Sequence, residues 1–370
     1  RKGGTPIVCA PSLAAYQAAL REHVLPGDTV VEVGCQLGGT TALLAQRAAR
    51  VFGVDMAREL ASTAVRKSNA AYRQHATPAD AGLPDTVSLR LLDPWDGAAM
   101  AALTDGLQVD VLLLDPAAFI GNDLPLTALA LARQLLRAHP GLRSLLLKSR
   151  ALSRLERQLV TLPQLVAEGG RGDRGPPEGT LERRRYATDG PRIVATVGVK
   201  EYRAAARHLA EMQPGSRVLE IGCHLGTSTA LLHQQGLAVG VDVSESIVNR
   251  ARALHPEVPF AVADAWDGPA LRRAWADATG GERADATGGR ADATAAIGGG
   301  PCIIMLDVGG LSSSHGELDS ISLVQALAGA FDEGCVTAIV SKSHCLKTLA
   351  RTLTPADSRP HVARRPSTPA

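Results

Sequence analysis

Glutamate and glycine residues recur at the same spacing in two parts of the 370-residue chain. The segment VVEVGCQLGGTTALL at 30–44 returns as VLEIGCHLGTSTALL at 218–232, with ten of fifteen positions identical. In each copy a glutamate precedes a pair of glycines: Glu32, Gly34 and Gly38 in the first, Glu220, Gly222 and Gly226 in the second. Glycine lets a backbone turn sharply and approach a ligand closely, and the amides of such a turn can bind polar or anionic groups. The repeat therefore predicts a ligand-binding turn in each copy.

Aspartates follow the turn at corresponding positions of both copies. Asp55 and Asp242 each end a GVD motif, at a spacing of about twenty residues that suits a carboxylate accepting both hydroxyls of a ribose. Asp93 and Asp264 each open a D-x-W-D-G motif. Because the same residue types recur at matching places, we expect both copies to bind the same class of ligand.

Short apolar runs alternate with amphipathic helical stretches in each copy. The runs TVVEV and RVLEI lead into the glycine-containing turns, and later runs such as RVFGVD, AVGVD, VLLLD and IIMLD end at aspartates. This alternation is typical of βαβ units and a parallel sheet. The sequence therefore predicts an α/β fold of two tandem doubly wound domains with mostly parallel sheets. Ligands of such domains lie outside the carboxyl ends of the strands.

The repeat also divides the chain. We expect a first domain at 1–165, a Gly-, Pro- and Arg-rich linker at 166–190 and a second domain at 191–353. A low-complexity loop at 275–300 and a disordered tail at 354–370 are predicted from their lack of large apolar residues or their richness in Pro and Arg. Only 28 residues follow the last predicted strand. Since these are too few for the usual final helix and strand, the completion of the second sheet stays open.

The composition of the chain gives no strong sign of a nucleic-acid-binding, membrane or disulfide-rich protein. Lys and Arg number 39 against 37 Asp and Glu, so global charge gives no strong case for nucleic acid or a membrane surface. The six cysteines include no CxxC pair and favour a reduced, intracellular protein. No apolar run approaches the roughly 18–20 residues that span a bilayer. We therefore expect a soluble chain of the cytoplasm or an organelle lumen. Because it begins at Arg1, we expect it to be an excerpt, and its oligomeric state is left open.

Two nucleotide cofactors compete for this architecture. A dinucleotide site uses G-x-G-x-x-G, in which the second glycine makes room for the pyrophosphate. Gln36 and His224 stand at that position here, which disfavours an NAD-dependent oxidoreductase. The motif E-x-G-x-x-x-G instead resembles motif I of the class I, Rossmann-like, S-adenosylmethionine-dependent methyltransferases. Its form is similar to that of the catechol- and caffeoyl-CoA-type O-methyltransferases.

This resemblance covers most of both copies and implies S-adenosylmethionine as the cofactor. It implies roles for three carboxylates in each copy: Glu32 and Glu220 at the methionine end, Asp55 and Asp242 at the ribose, and Asp93 and Asp264 at the adenine amino group. Metal-dependent members of the O-methyltransferase group place Asp-Asn at the end of a later strand. This chain has Lys148-Ser149 and Lys342-Ser343 there. Because a hard divalent ion needs oxygen ligands, we predict no metal.

An aspartate and a lysine end neighbouring predicted strands in each copy, as Asp115 with Lys148 and Asp307 with Lys342. The pairs resemble the Asp and Lys of the Lys-Asp-Lys-Glu set in FtsJ-like 2′-O-methyltransferases, in which a lysine helps to deprotonate and orient a ribose hydroxyl. Lys200 stands near the place of that family's first lysine, whereas the first copy has alanine there and neither copy offers a matching glutamate. The resemblance implies Asp307, Lys342 and Lys200 as catalytic candidates. A structural ion pair is the simpler alternative.

Two further groups have open explanations. Helices after the lysines carry basic residues at spacings of three and four that could bind phosphates or form a solvated face: Arg150, Arg154 and Arg157 in the first copy, His344, Lys347 and Arg351 in the second. Trp95 and Trp266 either flank an adenine or anchor a core. Cys35 and Cys223 are expected to be small apolar residues under the turn, not nucleophiles.

The favoured hypothesis is metal-independent methyl transfer from S-adenosylmethionine to an oxygen or nitrogen acceptor. The acceptor stays open between an RNA ribose, which the Asp/Lys pairs and basic helices favour, and a small molecule, which the form of motif I favours. The second copy is the better candidate for chemistry because only it has Lys200. Rival hypotheses are an NAD-dependent oxidoreductase and a non-catalytic scaffold that has kept the cofactor-binding fold.

Overall fold

The computed structural model describes residues 5–36, 38–56, 86–117, 124–169, 190–213, 215–279, 300–309, 317–331 and 335–357. Most of the predicted linker, most of the predicted low-complexity loop and the end of the predicted tail lie outside these residues, at 170–189, 280–299 and 358–370. Within the described ranges no helix combines the length and apolar character needed to cross a membrane.

Strands and helices alternate along both repeats. The first repeat contains β1 (Ile7–Ala10), α1 (Leu13–His23), β2 (Thr29–Val33), α2 (Gly39–Ala45), β3 (Arg50–Asp55), β4 (Val87–Leu91), α3 (Gly97–Ala102), β5 (Val111–Leu114), α4 (Pro125–Ala138), β6 (Ser144–Lys148), α5 (Arg150–Gln158), β7 (Leu159–Thr161) and α6 (Leu162–Gly169). The second contains β8 (Arg192–Thr196), α7 (Val199–Met212), β9 (Val218–Ile221), α8 (Thr227–His233), β10 (Ala238–Asp242), α9 (Glu245–Leu254), β11 (Phe260–Val262), α10 (Gly268–Thr279), β12 (Ile303–Leu306), α11 (Glu317–Ala328), β13 (Ala338–Lys342), α12 (His344–Thr352) and β14 (Leu353–Pro355).

The strands form two seven-stranded parallel sheets. The first has the order β14-β1-β6-β5-β2-β3-β4 and the second β11-β10-β9-β12-β13-β8-β7. In the first sheet the chain runs outward from β2 through β3 to β4 and then returns to β5 on the other side of β2. The strand order therefore reverses between β2 and β5, and in the second sheet between β9 and β12. Ligands of doubly wound sheets bind at this reversal, outside the carboxyl ends of the strands. The predicted α/β fold of two doubly wound domains is confirmed.

The seventh strand of each sheet comes from the other repeat. The chain divides into a unit of residues 1–156 and 351–370 and a unit of residues 157–350. In the first unit β14 pairs with β1, with Leu353 opposite Ile7. In the second unit β7 pairs with β8, with Leu159 opposite Ile193. The second sheet, whose completion the sequence left open, is therefore completed by a strand of the first repeat. The start of the predicted tail at 354 lies within β14.

Aliphatic side chains fill both cores. The central strands are buried along their whole length, as in VLLL of β5 and IIML of β12, because helices cover both faces of a parallel sheet. Each core also buries one tyrosine from the helix that precedes the glycine-containing turn, Tyr16 of α1 and Tyr202 of α7. The carboxyl ends of the strands, where the chemistry-bearing residues were predicted, are held in place by these cores.

Candidate functional site

The glycine-containing turns follow β2 and β9 and require glycine. Gly34 and Gly38 adopt φ values of 87° and 77°, and Gly222 and Gly226 adopt 79° and 75°. These values lie in the left-handed region that glycine reaches without a Cβ penalty. At Gly222 a Cβ would also lie only 2.3 Å from the carbonyl oxygen of Asp307. The amides of Gly34 and Gly222 also donate to Val54 O and Val241 O, so both turns bring the backbone close to a neighbouring strand end.

A carboxylate from the adjacent strand end holds each turn. The amide of Gln36 donates to Oδ2 of Asp55 at 2.8 Å, and the amide of His224 donates to Oδ2 of Asp242 at 3.1 Å. Gln36 and His224 themselves have positive φ, 44° and 50°. The position that a dinucleotide motif reserves for glycine thus carries a side chain, and its amide is used inside the protein. Asp242 also accepts the amide of Ser244 on Oδ1 at 3.0 Å. Because a carboxylate offers about four acceptor positions, these two hydrogen bonds leave Asp242 capacity for a ligand hydroxyl.

The next carboxylates lie beside the first on the neighbouring strand. The amide of Leu92 donates to the carbonyl of Asp55, and that of Ala263 to the carbonyl of Asp242, each at 3.1 Å. The following residues, Asp93 and Asp264, are exposed. Each accepts the amide two residues later on Oδ1, at 2.9 Å and 3.0 Å. The structure thus brings both predicted aspartates of each copy to one edge of the sheet.

The two tryptophans of the D-x-W-D-G motifs are exposed at this edge. Trp95 keeps 38% of its surface accessible and Trp266 keeps 52%. The interpretation of these residues as core anchors is therefore wrong, because neither residue is enclosed in the core. An indole beside an accessible carboxylate is a suitable neighbour for a flat aromatic ligand.

The glutamates of the repeated motif are buried and hydrogen-bonded. Glu32 and Glu220 are 2% and 3% exposed, and each accepts a hydrogen bond of 2.5 Å from a threonine hydroxyl, Thr41 and Thr229. Burial raises the pKa of both carboxyls to about 7, although the threonine hydrogen bonds act in the opposite direction. Sequence reasoning missed the two threonines. Their identity at matching positions of the repeat was the available signal.

The predicted Asp/Lys pairs form at the crevice. Lys342 Nζ donates to Asp307 Oδ2 at 2.5 Å, and Lys148 forms the same ion pair with Asp115. The amide of Asp307 donates to Ile221 O at 3.0 Å, which places the pair directly beside the turn. Lys200 is exposed in the first turn of α7, and within the described residues no hydrogen bond or ion pair joins it to Asp307 or Lys342.

Lys347 of α12 and the two cysteines of the turns interact with other parts of the protein. Lys347 donates to both carboxylate oxygens of Glu201, at 2.6 Å and 2.5 Å, so the basic face predicted for α12 is partly neutralised. Cys35 and Cys223 are buried, and burial raises the pKa of both thiols, in agreement with small apolar residues under the turn. In the part of the chain that the structure describes, no group of three or more His, Cys, Asp or Glu residues is arranged to hold a metal ion.

No protein-family model and no curated protein matches the chain. Among solved structures, it is similar to a precorrin 8W decarboxylase of Methanobacterium thermoautotrophicum, with 21% identity and a TM-score of 0.24 over 36% of this chain and 62% of that one. It is similar to the magnesium protoporphyrin IX methyltransferase of Synechocystis with bound SAH, with 20% identity and a TM-score of 0.22 over 42% and 64%. A third is phosphoethanolamine N-methyltransferase 1 of Haemonchus contortus in complex with phosphoethanolamine and S-adenosylhomocysteine, with 11% identity and a TM-score of 0.23 over 86% and 76%.

The chain spans less than two thirds of the length of the first two structures. At TM-scores of 0.22–0.24 the similarity carries no argument about activity. The strand order of the two sheets is that of doubly wound α/β domains.

Proposed function

We propose that each unit binds S-adenosylmethionine and that the chain is a metal-independent methyltransferase acting on an oxygen or nitrogen acceptor. The observation that carries this proposal is the matched set of carboxylates at the strand ends. In both units one buried glutamate and two aspartates surround a turn whose glycines have left-handed backbones. Such a set offers acceptors for hydroxyls, an amino group and an ammonium, all of which this cofactor carries.

The same turn is poorly suited to a dinucleotide. In the second unit four amides of the turn donate within the protein: those of Gly222, Cys223, His224 and Gly226. A pyrophosphate depends on such amides and would also meet the nearby carboxylates of Glu220 and Asp242. The carboxylates instead favour a cationic sulfonium. This arrangement supports S-adenosylmethionine over NAD.

The residues present fit the cofactor group by group. Glu32 or Glu220 would bind at the methionine end, and Asp55 or Asp242 would accept the ribose hydroxyls. Oδ2 of Asp264 accepts no hydrogen bond from the described residues, so it is available to an adenine amino group, with the exposed Trp266 beside it. When bound, S-adenosylmethionine supplies an activated methyl group on its sulfonium.

The Asp307–Lys342 pair is the proposed acceptor-binding group of the second unit. Asp307 holds the lysine ammonium at the strand end, where it can orient the oxygen of an acceptor hydroxyl. That oxygen accepts the methyl group as the S–CH3 bond of the sulfonium breaks and leaves its electron pair on sulfur. The hydroxyl proton passes to the Asp307 carboxylate or to water, because an ammonium cannot accept it. Lys200 lies exposed at the same end of the sheet and is proposed to contact the acceptor. The first unit has the same kind of pair but alanine in place of Lys200.

An RNA ribose is the acceptor that we propose first. The Asp/Lys pair suits a hydroxyl acceptor, and the exposed Arg150 and Arg154 of α5 can bind phosphates. A small hydroxylated molecule is the alternative, supported by the form of the glycine-containing motif. A scaffold that binds the cofactor without transferring its methyl group is a third possibility, which an activity measurement separates from the other two.

The test is methyl transfer from radiolabelled S-adenosylmethionine to total RNA and, separately, to a set of small hydroxylated compounds. Lys342→Ala is expected to lower transfer by about a hundredfold, a typical contribution of one acid or base, while leaving cofactor affinity unchanged. Lys347→Ala, which removes a lysine that already pairs with Glu201, is the matched control. Full transfer by Lys342→Ala would exclude the proposed role of this lysine. Cofactor binding without transfer to any acceptor would support the scaffold.

A further inference from the structure

The start of α7 carries charges that its counterpart in the first unit lacks. The helices α1 and α7 align at their buried tyrosines, and the residues around them differ: Ala14, Ala15 and Gln17 in α1 correspond to Lys200, Glu201 and Arg203 in α7. Glu201 pairs with Lys347, and Lys200 is exposed. Arg203, by contrast, contacts the helix that follows the glycine-containing turn.

Arg203 lies half-buried beside that turn. Its Nε donates to Oγ of Ser228 at 2.8 Å, and Ser228 lies in the first turn of α8, two residues after Gly226. The positive charge of Arg203 also lowers the pKa of Glu220, against the larger effect of burial. Within the described residues the Nε bond is the one hydrogen bond that Arg203 makes. Its two terminal nitrogens make no hydrogen bond to the described residues and are therefore available to bind a ligand.

We propose that Arg203 binds the carboxylate of the cofactor's amino-acid end, an inference that rests on the proposed function. Glu220 contacts the ammonium of the same amino acid, so the second unit recognises both charges of the zwitterion. The first unit has Glu32 for the ammonium but Gln17 at the position of Arg203. Its affinity for the cofactor is consequently lower, and the second unit fills first.

The chemistry of the two side chains accounts for the difference. A guanidinium presents a planar fork of donors that matches a carboxylate with two parallel hydrogen bonds. With Nε held by Ser228, the fork is fixed before the ligand arrives. A glutamine amide offers neutral donors only, and charge-assisted hydrogen bonds are about twice as strong as neutral ones.

The experiment uses the full chain with Asp55→Ala, which removes binding in the first unit, and measures the affinities of two ligands for the second unit by calorimetry. S-Adenosylhomocysteine carries the amino-acid end, whereas 5′-methylthioadenosine keeps the adenosine and the sulfur but lacks that end. Arg203→Gln is expected to weaken S-adenosylhomocysteine by about tenfold or more. Its effect on 5′-methylthioadenosine is expected to stay within about twofold. In the Asp242→Ala background, Gln17→Arg is expected to strengthen S-adenosylhomocysteine alone.

Arg207→Gln is the matched control, because Arg207 is exposed one turn further along α7 and its loss changes the net charge equally. Equal losses for both ligands in Arg203→Gln would overturn the proposal, since Arg203 would then shape the turn instead of binding the carboxylate. Unchanged affinity for both ligands would overturn it too. If the Asp55→Ala parent binds neither ligand, the proposed function fails as well. This outcome differs from one in which the parent binds both ligands and Arg203→Gln does not change their affinities.

Discussion

Replacing Glu32 by glutamine is expected to stabilise the protein at alkaline pH while weakening its cofactor site. The carboxyl is 2% exposed, and burial raises its pKa from 4.5 to about 7. The folded chain therefore binds this proton more tightly than the unfolded chain. The stabilisation is complete below the unfolded pKa of 4.5 and is lost as the pH rises to the folded pKa of about 7. Above pH 7 the ionised group is buried at a net cost.

The magnitude follows from that change in pKa. One pKa unit corresponds to about 1.4 kcal/mol, so the free energy of unfolding of the wild type should fall by about 2–3 kcal/mol between pH 5 and pH 8 because of this group alone. Glutamine has the same shape, can still accept the hydrogen bond of Thr41, and does not titrate. Glu32→Gln should therefore lose this part of the pH dependence.

Urea unfolding followed by circular dichroism at both pH values measures the effect, with Glu22→Gln as the control at an exposed position of α1. The stability gain of Glu32→Gln over the wild type should be larger at pH 8 than at pH 5 by about 2–3 kcal/mol, with an unchanged m-value. An equal gain at both pH values, or a loss at pH 8, would refute the reasoning that burial holds this carboxyl protonated.

Three further outcomes are expected. Gly222→Ala should lower the free energy of unfolding in urea by about 3 kcal/mol or more, because its Cβ meets the backbone of Asp307. The control Gly215→Ala has φ of 77° and open space around it, so it should lose only the roughly 1–2 kcal/mol of left-handed backbone strain. Equal losses would contradict the predicted clash. S-Adenosylmethionine should change the tryptophan fluorescence of the wild type, and Trp266→Phe should lose most of that change; an unaltered response would place the adenine elsewhere. Protease cleavage at a site introduced within 170–189 should leave the two fragments together on size-exclusion chromatography, since each contributes a strand to the other's sheet; two separate fragments would contradict the strand exchange.

The positions of the carboxylates could be predicted because local sequence determines them. A run such as VLLL or IIML is buried on both faces of a parallel sheet, so its last apolar residue marks the strand end and the following Asp115 or Asp307 lies at the crevice. The left-handed glycines could be predicted for the same reason, since only glycine adopts that backbone at no cost. Duplication strengthened both predictions, because each feature appeared twice.

The exchanged strands could not be predicted. β7 and β14 have three residues each, LVT and LTP, and so short a segment fits any free edge of a parallel sheet. Which edge it joins depends on the path of the whole chain, not on its own side chains. The direction of Trp95 and Trp266 was equally undetermined, because an aromatic residue after a strand end can turn inward or outward. Arg203 was overlooked because its partner Ser228 lies in a different element, 25 residues away.

Calorimetric titration with S-adenosylmethionine and, separately, with NAD tests the central claim most directly. We predict that the wild-type chain binds one molecule of S-adenosylmethionine in each unit and does not bind NAD. Asp55→Ala and Asp242→Ala are each expected to abolish binding in one unit and to leave the other occupied. Binding of NAD without binding of S-adenosylmethionine would contradict the account.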